Sequence, residues 1–133
     1  MKNEILIGTW LLDGRRCRLV GRTDWKNGKG HGRLATQKDP YALIEVGLAG
    51  DWVECLDGLL HEALELVICA HGWEWGSPIA AMHQDAGTRL VVMTHEQYQE
   101  AVRTATDFLM MALSGDRLFE RTWCRFNKVR ISR

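Results

Sequence analysis

Hydrophobic strand formers fill "EILIGTWLL", Glu4 to Leu12, and polar and apolar positions alternate through "RRCRLVGR" by way of Cys17, Leu19 and Gly21, with Asp13-Gly14 between the two runs. Two strand-like runs across Asp-Gly predict a β-hairpin, because both turn positions take positive φ. "TDWKNGKGHGR", Thr23 to Arg33, is dense in glycine and turn formers and reads as a mobile loop. "YALIEVGL", Tyr41 to Leu48, gives a third strand after Pro40. The period then changes. Asp51 is a suitable N-cap before a helix over about 51–71, whose apolar positions Trp52, Leu56, Leu59, Leu60, Ala63, Leu64 and Val67 recur at helical spacing. An irregular connection, Trp73 to Gly87, leads to a strand over 88–93. Thr94 and Gln97 form a capping box for a second helix over about 95–113, with Tyr98, Ala101, Val102, Ala105, Phe108, Leu109 and Ala112 as its apolar stripe. The basic tail, 116–133, alternates weakly and fits either a strand pair or a short helix. The whole predicts one α+β domain over 1–133: a small antiparallel sheet packed against two main helices.

Composition narrows the class. An apolar fraction of 46% and a charged fraction of 26% are ordinary for a soluble globular protein. No apolar run approaches the ~20 residues that span a bilayer, and "MKNEILIGTW" lacks the pattern of an export signal. The expectation is therefore a cytoplasmic protein with no membrane partner. Cys17, Cys55, Cys69 and Cys124 form no C-x-x-C pair, which argues against a cysteine zinc site and for reduced thiols.

The net charge of zero conceals an arrangement. Residues 1–50 carry nine Lys/Arg and five acids, residues 51–115 two and ten, and residues 116–133 six and two. These give +4, −8 and +4. An acidic middle suits a cation site; basic ends suit phosphate or acidic protein, or simply neutralise the middle. Arg15, Arg16, Arg18 and Arg22, with Arg117, Arg121, Arg125, Lys128 and Arg130, would be the nucleic-acid surface if the two ends are neighbours.

The candidate chemistry lies in "LLHEALEL", Leu59 to Leu66. His61 and Glu65, four apart, project from one helix face, near enough to grip one cation. Glu62 follows His61 as the general base follows the first histidine in H-E-x-x-H, about 100° round the helix. Zinc accepts carboxylate as well as imidazole. A third ligand is needed: His95, at the start of the second helix, ranks first and His83 second. His71 points away from this face, and His31 stands in the glycine-rich loop. The same face also reads as a plain solvated helix surface.

On these residues the chain resembles the small zinc-peptidase-like proteins of phages and prophages, the SprT-like or minimal gluzincin type, over roughly Ile7 to Leu113. "LDGRRCRL", "YALIEVGL" and "LDGLLHEALELV" follow the order of that family's hairpin, strand and site helix. "VVMTHEQY" resembles its histidine at the start of the next helix. A subset of the family reads H-E-x-x-E, as here. The resemblance implies a zincin-like fold, with His61, Glu65 and His95 holding zinc. It also implies that Glu62 is the base toward water whose pKa zinc lowers to about 7. Glu65 in place of histidine, and Met93-Thr94 where Leu-Pro is common, depart from the pattern; a carboxylate ligand makes the ion less electrophilic. The expected function is a metal-binding protein acting as a metal-dependent peptidase on a peptide or protein. The alternatives are a catalytically inactive binding or inhibitor protein acting on a host protein in the host cytoplasm, and nucleic-acid binding. For an interface, three of the six tryptophans stand out: Trp25, Trp73 and Trp75.

Overall fold

A computed structural model of the chain describes residues 3–25, 29–71, 74–75, 90–91 and 93–129. Strands β1 (Glu4–Leu12) and β2 (Arg15–Arg22) form the hairpin with the bounds expected from the two runs across Asp13-Gly14. Asp13 and Gly14 take φ of 54° and 74°, the left-handed pair that matches the twist of the strands. A register shift between Leu6 and Gly8 leaves Ile7 unpaired, and that side chain is buried in the core.

The supposed loop before the third strand contains a strand of its own, β3 (Gly30–Arg33), which pairs antiparallel with β4 (Ala42–Gly47). Glycine content there suggests a turn; in the fold it marks the close approach of this strand to side chains of the neighbouring helix. The Arg33 guanidinium meets Asp39 at 2.8 Å, and Asp39 accepts the Tyr41 N–H at 3.1 Å, which fixes the turn between these strands. That backbone N–H first, and then Arg33, hold the Asp39 carboxyl below its ordinary range.

The sheet order is β1-β2-β4-β3, so β3 is an edge. β4 runs parallel to β2, which makes the sheet mixed rather than antiparallel. The connection through β3 supplies the length a parallel return needs. Cys17, Leu19, Ala42, Ile44 and Val46 line one face and are buried.

On that face lie α1 (Trp52–Ala70), against β3 and β4, and α2 (His95–Leu113), against α1 and β1. Asp51 accepts the Val53 N–H at 2.8 Å at the start of α1. Thr94 and Gln97 close the expected capping box on α2. Of the stripe expected on α2, Ala101, Ala105, Phe108 and Ala112 are buried and Leu109 packs against the core, whereas Tyr98 and Val102 are exposed. The tail resolves into a third helix, α3 (Leu118–Asn127), which adds to the two expected. Phe119 and Trp123 recur four apart, and their rings pack tilted against Trp52, with centroids 4.9 and 5.3 Å from its ring. Burial of one aromatic stripe decides the tail for helix.

β5 (Glu74–Trp75) and β6 (Leu90–Val91) form a separate antiparallel pair. The expected strand 88–93 is represented by β6; residues 88, 89 and 92 lie outside the described ones. No described helix is long and apolar enough to cross a membrane. All four cysteines are free thiols, and burial pushes Cys17 and Cys55 up to about 12.

Candidate metal centre

The buried side of α1 consists of Cys55, Gly58, Leu59, Glu62, Ala63, Leu66 and Val67. One of these is a carboxylate. Glu62 sits at a core-facing position of the helix and is 8% exposed, the one buried charged side chain among the described residues. One turn of helix carries His61 and Glu65 to solvent, with side chains about 60% exposed (63% and 61%). His61 Nε2 and Glu65 Oε1 stand 3.4 Å apart, so the four-residue spacing stacks them as expected.

Glu62 and Glu65 are three apart, which also places them on neighbouring positions of one face. One ligand atom each from His61, Glu62 and Glu65 lies within 4.8 Å of the others. Glu62 is thus a member of the cluster and not merely beside it. Burial first, and the Glu65 charge second, push the Glu62 carboxyl above its ordinary range; His61 and His31 pull it the other way.

β3 closes over this side of the helix. Gly30 and Gly32 face α1, and a Cβ on either would meet the Glu62 side chain at 2.9 and 3.2 Å. Gly47 N–H donates to the Lys29 carbonyl at 2.8 Å. Antiparallel alternation then turns the peptide groups of Gly30 and Gly32 outward, to what is the free edge of the sheet among the described residues. This edge is the feature that sequence reasoning missed. The period-two spacing of Gly30 and Gly32 was its only trace, and the glycine content masked it.

The remaining candidates fall as follows. His95 is the first residue of α2 and is exposed; it does not belong to the cluster of three. His83 lies outside the described residues. His71 caps α1 and reaches Asp13 in the hairpin turn, Nε2 to Oδ2 at 2.8 Å. His31 is not on a loop but on β3, on the face opposite Glu62, with Nδ1 3.5 Å from Glu45. Trp25 is half-buried between Arg22 and Lys29, each cation 5.1 Å from its ring. Trp73 lies outside the described residues, and of Trp75 only the strand position in β5 is described. Trp10, Trp52 and Trp123 pack on the core.

The basic residues are engaged in several places. Arg22 pairs with Glu4, Asp24 and Glu45 at 3.2–3.4 Å, and the Arg18 guanidinium lies 3.9 Å from the Tyr41 ring centre. Arg117 grips Glu120 at 2.6 Å. Arg130 lies outside the described residues.

No family model, curated protein or solved structure matches this chain.

Proposed function

We propose that the chain is a divalent-metal protein of the small zinc-peptidase type, with the metal centre on α1 and the substrate path along β3. The observation that carries this reading is the placement of Glu62. It is a buried carboxylate under a sheet edge, with a ligand atom within 4.8 Å of those of an exposed His-Glu pair. Two ligand atoms on a tetrahedral zinc ion lie about 3.3–3.6 Å apart, given bond lengths of about 2.0–2.2 Å. His61 Nε2 and Glu65 Oε1 already stand at that spacing, 3.4 Å.

The donor set fits zinc, which takes imidazole nitrogen and carboxylate oxygen in catalytic sites. In this reading His61 and Glu65 hold the ion, and His95 is the third ligand, on the ground of the "VVMTHEQY" resemblance. When bound, the ion supplies a Lewis acid for a peptide carbonyl and lowers the pKa of water. Glu62 is suited to take the proton. Burial holds its carboxyl above the ordinary range in the metal-free chain, and the charge of a bound ion would favour the carboxylate form that a base needs. The outward peptide groups of Gly30 and Gly32 offer an extended peptide a strand to pair with, beside that carboxylate.

Hydrolysis of a labelled unfolded protein by the purified zinc-loaded chain tests the reading. Activity should vanish with a chelator and return with Zn²⁺. Glu62→Gln should keep the metal and lower the rate by roughly 10²–10⁴-fold, the range for a general base. A rate indifferent to both changes contradicts it. Metal retention with no hydrolysis by the parent chain would favour the inactive binding protein instead.

A further inference from the structure

β3 carries glycine at both positions that face α1, and Glu62 fills the space those residues leave. A Cβ on Gly30 would stand 2.9 Å from Glu62 Cγ and 3.3 Å from Oε1. One on Gly32 would stand 3.2 Å from Glu62 Oε2 and 3.2 Å from Leu66 Cγ. The contact at Gly30 is below 3.0 Å, a separation that real Cβ atoms essentially never show. Backbone conformation is not the reason for glycine here. Positive φ is confined, among described glycines, to Gly14, Gly50 and Gly115. Glycine inside a strand costs stability through chain entropy and lost packing, so two of them on one face of a four-residue edge strand need a cause. The cause on the page is Glu62, 8% exposed and directed at that face.

We infer that Gly30 and Gly32 are positioning residues for Glu62, a track without side chains that seats its carboxylate between the sheet edge and α1, beside His61 and Glu65. The consequence for metal binding and hydrolysis rests on the reading proposed above; the seating itself does not. A methyl group on Gly30 meets the stem of Glu62 and displaces the whole side chain. A methyl group on Gly32 meets the carboxylate and Leu66, and turns the head group while leaving the stem in place.

A double-mutant cycle on the metal-free full chain tests the seating, with melting temperature as the readout. Gly30→Ala should lower it in the parent. In the Glu62→Ala background the methyl enters vacated space, so the same change should leave the melting temperature unchanged or raise it. Equal losses in the two backgrounds would overturn the inference. Should Gly30→Ala fail to fold in the parent background, Gly32→Ala completes the cycle. Its loss should shrink in the Glu62→Ala background without vanishing, because Leu66 Cγ still lies 3.2 Å from its methyl. An undiminished loss would overturn the inference.

Hydrolysis by the zinc-loaded chain adds a readout that packing alone would not move. Gly32→Ala should hold Zn²⁺, as Glu62→Gln does, and lower the rate about tenfold or more, since it turns the base and not a ligand, while the melting profile stays cooperative. An unchanged rate would overturn the link from seating to hydrolysis. A parent chain that takes up no Zn²⁺ removes the metal reading, and the cycle then decides the seating alone.

Discussion

Glu62 would be expected to carry charge near neutral pH, yet it occupies a position that the helix otherwise gives to leucine and alanine. Its carboxyl is raised above the ordinary 4.5 chiefly by burial. Between that value and the raised one the folded chain holds a proton that the unfolded chain has lost. Stability of the metal-free protein must therefore fall as pH rises through this window. Glu62→Gln should remove the dependence and make the metal-free protein more stable than the parent at pH 7. Urea unfolding from pH 4 to 8 measures it; parallel curves for the two proteins would contradict the assignment. The stacking of His61 on Glu65 was legible in the sequence because four-residue spacing is a local property. The burial of Glu62 was not, since it depends on a strand some thirty positions earlier and on the missing side chains of Gly30 and Gly32.

Elements with local signals were legible to within about one residue at each end. Asp13-Gly14 demands positive φ at both turn positions, and this fixed the hairpin. Asp51 and Thr94 announce helices because their oxygens accept N–H groups that have no partner inside the helix. Thr94 accepts from Gln97 N at 3.1 Å while the Gln97 side chain accepts from Thr94 N at 2.8 Å. Thr94→Ala should cost about 1 kcal/mol of stability, read from denaturant unfolding. A change below a few tenths would show the cap to be redundant. β3 escaped because four residues with two glycines carry no strand propensity; its partner β4 and the helix beneath create it. The tail escaped for a different reason. A helix of ten residues is marginal by itself, and tertiary contacts stabilise it, among them the packing of the Phe119 and Trp123 rings on Trp52.

Across the molecule, the order β1-β2-β4-β3 decides that the edge strand lies over the site helix. Nothing local in the sequence encodes a parallel pairing of β2 with β4, so the alternation alone led to an antiparallel sheet. Charge blocks were informative only in part: the acidic middle contains the cluster, whereas Arg22 and Arg117 are tied to nearby carboxylates. Asn127 locks the far end of the fold. Its amide donates to the Leu48 and Trp123 carbonyls at 2.8 and 2.9 Å, and its oxygen accepts the Gly50 N–H at 3.3 Å. Asn127→Ala should cost about 1–3 kcal/mol by leaving these groups unpaired, and a thermal melt far from the α1 cluster should report it without any change in metal affinity. The most direct measurement of the central claim is zinc stoichiometry by elemental analysis after dialysis, on the parent chain and on His61→Ala, Glu65→Ala and His95→Ala. The parent should hold one equivalent and each variant should lose it. The same trace amount in all four proteins would contradict the claim.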